Sequence, residues 1–206
     1  GAGYFGSEEK GYVVRLVPKD WTYEAFPDLK AASLEELTSL LKASNSVARF
    51  HAQREMLARF PEEAGAAALS IATDKTLPLE ARVAGIYTYA QATYENGNGE
   101  LVKLSQEEKI REFALRALAD RKTCLQGVPL DPFIEGVTDP NDRVKSAAIV
   151  ALGRIGNPEA AEELLKVQVP DSFKQPEKGT EGPHATPNSA IILPHIAVKS
   201  LVKLNA

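Results

Sequence analysis

Small residues recur along the chain, each followed four positions later by a large side chain: Ala52/Met56, Gly85/Tyr89, Ala114/Leu118, Ala148/Leu152 and Ala197/Leu201. Four positions before each small residue stand Ala48, Ala81, Ile110, Val144 and Leu193. Three successive positions on one helical face are therefore apolar in every unit, which predicts a helix buried along one stripe. The small residues are separated by 33, 29, 34 and 49 positions. The first three intervals have the length of a two-helix repeat, and the last is such a repeat carrying an insertion.

The partner helices announce themselves by their ends. Ser33 followed by Glu36 and then Leu37, Leu40 and Leu41 is a capping box entering an amphipathic helix. Asp139-Pro140-Asn141-Asp142 stops one helix and caps the next, and Gly156-Asn157-Pro158-Glu159 does the same after Ile155. Further helices are predicted over Glu62 to Ala72, Pro78 to Glu95, Gln106 to Arg121, Leu130 to Val137, Asp142 to Ile155, Pro158 to Val167 and Ile191 to Leu204. Asn96-Gly97-Asn98-Gly99 reads as a flexible turn between the second and third units. The insertion lies at 169–189, where four prolines and two glycines cannot sustain a helix. Long loops of this kind are often functional.

The pattern changes before residue 28. Gly11 to Val17 is a short β-prone run, and Pro18 to Pro27 is irregular with Trp21, Tyr23 and Phe26. The fold class expected is all-α: an α-α superhelix, or armadillo/HEAT-type solenoid, of about five helical hairpins with a short N-terminal extended segment. Its parts are an extended leader over 1–27 and a repeat domain over 28–206.

Composition narrows the function classes. Of 206 residues, 44% are hydrophobic and 25% charged, as in ordinary globular chains. The longest apolar runs, Ala64 to Leu69 and Ala147 to Leu152, fall far short of the roughly 20 residues of a spanning helix. The formal charge of −4 is spread without a basic tract, which argues against a nucleic-acid partner. One cysteine, Cys124, excludes an internal disulfide and a multi-cysteine metal site. The chain opens on Gly1 without a signal-peptide pattern, which suggests an excised or processed segment.

The stretch DPNDRVKSAAIVALGRIGNPEAAEELL, Asp139 to Leu165, resembles the HEAT-like repeat, including its phycobilin-lyase-type variant. The Asp-Pro turn, the Val-Lys pair, the small residue and the Leu-Gly ending stand in repeat order. GYVVRLVPKDWTYEAFPDLK and the helices after it, with PHIAVKSLVKLNA at the other end, resemble the HEAT region of large exported bacterial proteins. In those proteins a dehydrogenase-like β-propeller precedes the repeats, and some members carry a c-type cytochrome domain. That resemblance implies an extracytoplasmic, periplasmic or exported, location and makes Gly11 to Val17 the last strand of an upstream propeller. The sequence has no Cys-x-x-Cys-His haem attachment site, so no redox activity is carried over to these residues.

Candidate chemistry is sparse. Gly1-Ala2-Gly3-Tyr4-Phe5-Gly6 has dinucleotide-loop spacing but lacks a preceding strand and a following helix, so a terminus or scar is the simpler reading. His51, His184 and His195 have no partner at metal-ligand spacing, and only His184 falls in the long loop. Cys124 follows Arg121 and Lys122 without a general base. The pairs Glu35/Glu36, Glu62/Glu63, Glu107/Glu108 and Glu162/Glu163 sit near helix starts, where the dipole favours them. Three positions before the small residue stand Arg49, Arg82, Arg111 and Lys145. They are either a basic ladder along a surface or structural charges bonded to an Asp or a carbonyl, as with Asp142 beside Lys145. No catalytic, cofactor-binding or metal residue is assigned.

Repetition without chemistry points to a non-catalytic protein-protein or interdomain binding or scaffolding module. Its partner would be another protein or a flanking domain of the same polypeptide. The candidate surface comprises Phe173, Lys174, Lys178 and His184 of the long loop with Arg49, Arg82, Arg111 and Lys145. The alternatives are an accessory part of a larger exported dehydrogenase- or cytochrome-like enzyme, a bilin lyase-like activity, and a bare spacer.

Overall fold

The computed structural model describes residues 14–23, 25–174 and 189–204. It consists of five consecutive helical hairpins. They are α1 (Leu34–Leu41) with α2 (Ser46–Arg59), α3 (Ala64–Thr73) with α4 (Leu79–Thr93), and α5 (Asn98–Ser105) with α6 (Arg111–Leu118). Then come α7 (Asp131–Val137) with α8 (Asp142–Ile155), and α9 (Ala161–Leu165) with α10 (Ser189–Lys203). Single 3-10 turns at Tyr94–Gly97, Lys122–Cys124 and Pro158–Ala160 join hairpins or enter a helix. No strand occurs among the described residues.

Capping explains the boundaries. The Ser33 hydroxyl accepts from the Glu36 amide at 3.2 Å while the Glu36 carboxylate accepts from the Ser33 amide at 2.7 Å. Asn45 caps α2, Asn141 caps α8 and Asn157 caps the turn into α9, each through its side-chain oxygen. Gly156 closes α8 in the left-handed region at φ 73°, a conformation that costs glycine nothing.

All five small landmarks are buried, and successive second helices α2, α4, α6, α8 and α10 lie against one another. The reason for small side chains is geometric at Gly85. A β-carbon there would lie 2.8 Å from the Ala68 carbonyl oxygen and from the Ala72 amide nitrogen, so α4 runs against the backbone of α3. The buried side chains form two clusters that meet at α3 and α4, one over the first two hairpins and one running to Leu204. Each hairpin closes its apolar face only against its neighbours, as expected for a stacked repeat.

Two expectations are corrected. Asn98 and Gly99 begin α5 and do not belong to a flexible turn, and Gln106 to Arg121 is not one helix. Gly97 is buried because a β-carbon there would collide with the Thr93 side chain and lie 3.0 Å from the Tyr89 ring. Close approach, not looseness, accounts for that glycine. The β-prone run forms no strand over its described part, Val14 to Val17, which is extended and carries Leu16 at 96% exposure. A single β-prone run without a neighbouring strand has no ladder to join. Gly11 to Val13 lie outside the described residues, as do 175–188 of the long loop.

Candidate functional site

The four cations at the repeat position are all bonded within the protein, and two of them, Arg82 and Arg111, reach the next hairpin. Arg49 donates to the Ala43 and Ser44 carbonyls at 2.7 and 2.8 Å, at the end of α1. Arg82 donates through Nε to the Ala72 carbonyl at 2.9 Å, and through Nη1 and Nη2 to the Glu107 carboxylate at 2.6 and 2.8 Å. Arg111 donates to the Ser105 carbonyl at 3.0 Å and to Asp139, whose other oxygen accepts from the Asn141 amide at 2.8 Å. Lys145 pairs with Asp142 at 3.0 Å. Arg82 and Arg111 each bond the end of the first helix in their own hairpin and a carboxylate in the next interhelical turn. Arg82 is nearly fully buried.

These bonds set the charge states. The Arg82 guanidinium holds the Glu107 carboxyl below the usual glutamate range, and Arg82 itself is raised in return. Burial pushes Asp139 up, but the Asn141 amide and Arg111 outweigh it and leave the carboxyl lowered.

A different set of residues forms an open groove. It lies between α6 and α8, reaches Tyr87 of α4, and has a volume of about 330 Å³. Its floor is low because Ala119, Ala147 and Ala151 supply only methyl groups, while Val150, Arg116 and Arg154 stand at its sides. Helical spacing explains the arrangement. Glu112, Arg116 and Asp120 follow one another at four-residue steps along α6 and its end, as do Val150 and Arg154 on α8.

Ion pairs and hydrogen bonds join α6 to α8 at the groove and beside it. Arg143 donates to both oxygens of Glu112 at 2.7 and 3.1 Å, and Arg116 lies 2.9 Å from the same carboxylate. Arg154 donates through Nη1 to the Ala119 carbonyl at 2.8 Å and lies 3.7 Å from Asp120. Glu112 is 9% exposed, whereas Arg143, Arg116 and Arg154 are 68%, 49% and 40% exposed. The rim therefore presents arginines over a covered carboxylate. Burial raises the Tyr87 hydroxyl, and its proton stays on as a donor at neutral pH.

Beside the groove, and sharing Tyr87 and Asp120 with it, Arg121 lies over the Tyr94 ring, 4.8 Å from its centroid. The Arg121 Nη1 is buried without a hydrogen-bond partner. Tyr94 has φ 51°, the one positive value outside glycine among the described residues, and its ring is half exposed.

The remaining sequence candidates lie elsewhere. Phe173 is half-buried and its amide donates to the Pro170 carbonyl at 2.8 Å, while Lys174 is exposed. Lys178 and His184 lie outside the described residues. Lys145 lines a separate groove with Lys166, Pro170 and Leu193. His51 sits between Phe26 and Phe50, both rings edge-on to it at 5.7 and 5.5 Å. Cys124 is a buried free thiol, and His195 is exposed on α10. Among the described residues no group of three or more His, Cys, Asp or Glu could hold a metal ion, and no helix is long and apolar enough to cross a membrane.

Sequence reasoning missed Tyr87, Arg116, Val150 and Arg154. The available signal was Val150, an apolar residue off the Val144, Ala148 and Leu152 stripe, and the structure leaves it exposed between buried Ile149 and Ala151.

Stacked antiparallel hairpins with a low groove across their second helices define a helical-repeat solenoid of the HEAT/armadillo type. Residues 100–172 match the family model of HEAT repeats, from within α5 to beyond α9. The match supports a HEAT-like repeat protein; nothing found supports the phycobilin-lyase-type variant or the resemblance to exported propeller proteins. No curated protein matches the chain.

Proposed function

We propose that the chain is a non-catalytic binding module that docks another protein, or a flanking domain of the same polypeptide, on its second-helix face. HEAT repeats commonly mediate protein-protein interaction, which fits this reading. The observation that carries it is the groove of α4, α6 and α8, walled by Tyr87, Val150, Arg116 and Arg154. Tyrosine and arginine are the side chains most often found at binding hot spots. The ladder cations Arg49, Arg82, Arg111 and Lys145 belong to the proposed surface as its support: Arg82 and Arg111 tie one hairpin to the next, whereas Arg49 and Lys145 bond within their own hairpins.

The loop at 169–189, with Phe173, Lys174, Lys178 and His184, forms the second part of the proposed surface, and the exposure of Lys174 is what supports it. The division into a leader over 1–27 and a repeat domain over 28–206 belongs to the same proposal; burial in the helical core begins at Leu29, which favours that boundary. A nucleic-acid partner is not part of it, since the net charge of −4 would repel phosphate at long range.

The test is a photo-crosslinking amino acid placed at position 150, and for comparison at the exposed position 103 on the first-helix layer. A discrete adduct from 150 alone supports docking on the groove. Equal labelling from both positions, or none from 150, contradicts it.

A further inference from the structure

Resting on the binding-module reading, we propose that the α4–α6–α8 groove takes an acidic segment of a partner protein. One large apolar side chain sits on the alanine floor, and flanking carboxylates pair with Arg116 and Arg154. Charge and shape both select this occupant.

The shape admits a side chain. At about 330 Å³ the groove stands at the small end of ligand pockets, which span roughly 300–1,000 Å³, and it has room for one large side chain. The floor of Ala119, Ala147 and Ala151 is apolar, and Val150 gives it an apolar wall.

The charge selects the flanks. A guanidinium carries five N–H donors, yet Arg154 uses only Nη1 in its hydrogen bonds and Arg116 only Nη2 in its ion pair among the described residues. Their remaining donors suit a planar carboxylate, which arginine binds through two parallel bonds. Glu112 offsets only part of the positive charge of the rim, because one carboxylate is shared by two guanidiniums, Arg143 and Arg116. Asp120 opposes the proposal, since it is 64% exposed on the same rim. That opposition supplies a test of sign: removing its charge must strengthen binding.

The experiment uses the full chain and a short fluorescein-labelled peptide with Leu-Phe at its centre and Asp and Glu on both sides, read by anisotropy. Expected are saturable binding weakened by salt, and at least tenfold weaker binding of the same peptide with Lys for its acids or Ser for Leu-Phe. Val150→Asp and the double variant Arg116→Glu/Arg154→Glu each lose roughly tenfold, whereas Asp120→Asn gains about threefold. Val198→Asp, on the exposed face of α10, changes nothing. Melting curves check each fold, and Val150→Asp and Asp120→Asn decide the matter if the double variant unfolds.

The proposal is overturned if the lysine peptide binds as well as the acidic one, or if Asp120→Asn weakens binding. It is equally overturned if single-stranded oligothymidylate outcompetes the acidic peptide at the groove. If position 150 still crosslinks a protein while the acidic peptide shows no preference, the partner chemistry fails and the binding-module reading stands.

Discussion

Arg82 and Glu107, 25 positions apart and in successive hairpins, meet through two parallel hydrogen bonds of 2.6 and 2.8 Å. Arg82 is held from behind by the Ala72 carbonyl, so one side chain ties the end of α3 to the turn between α5 and α6. Removing one partner of such a covered pair leaves the other charge without compensation. Arg82→Met should destabilise the fold by about 3–5 kcal/mol, and Glu107→Gln by less because Glu107 is partly exposed. The double variant should lose less than the sum of the two, measured by urea denaturation; additive losses would mean that the pair does not couple the repeats.

Acid should weaken the stack. Glu107 and Asp139 have lowered carboxyls in the fold, and Glu36 and Asp74 shift the same way. A carboxyl lowered by folding contributes its stabilisation above its ordinary unfolded value. That contribution is lost as pH falls through the lower folded value. The ordinary values are 4.5 for Glu107 and 3.8 for Asp139, so melting temperature should fall from the first of these downward. Glu107→Gln/Asp139→Asn should melt lower at neutral pH and show a shallower acid limb.

Glycines of opposite kind should respond in opposite directions. Gly85→Ala pushes a methyl to 2.8 Å from two backbone atoms and should cost roughly 1–3 kcal/mol or more. Gly99→Ala, in the first turn of α5 with open space around it, should gain about 0.5 kcal/mol from helix propensity. Thermal melts of the two variants moving in the same direction would contradict the packing described for α3 and α4.

Tyr94 tests the strained turn after α4. Tyr94→Gly and Tyr94→Ala both remove the ring under Arg121, but only glycine is at ease at φ 51°. The glycine variant should therefore be the more stable of the two by about 1 kcal/mol. Equal stabilities would show that the turn relaxes without strain.

Much of the fold was legible because a buried helix stripe repeats its signature locally. Ala52, Gly85, Ala114, Ala148 and Ala197 marked the second helices, and Ser33, Asn141 and Gly156 marked ends that the structure caps in the expected way. The turn at 96–99 was misread because glycine signals both a break and a tight approach, and only the position of Tyr89 and Thr93 against Gly97 separates them. The run Val14 to Val17 shows the limit of propensity: it states a preference, while a strand needs a neighbour to pair with.

The candidate surface was the least legible part. Arg82 stands at the recurring repeat position and Arg116 does not, but the chain alone left open whether that position is a surface ladder or a structural charge. It is Arg82 that is buried and Arg116 that is presented. The sequence by itself determined the helical repeat, the spacing of its landmarks and the place of its insertion, since these depend on contacts within one or two hairpins. Only the tertiary structure decided which cations hold the stack together and which stand around a groove. That division depends on carboxylates and carbonyls supplied by neighbouring repeats some 25 to 35 positions away.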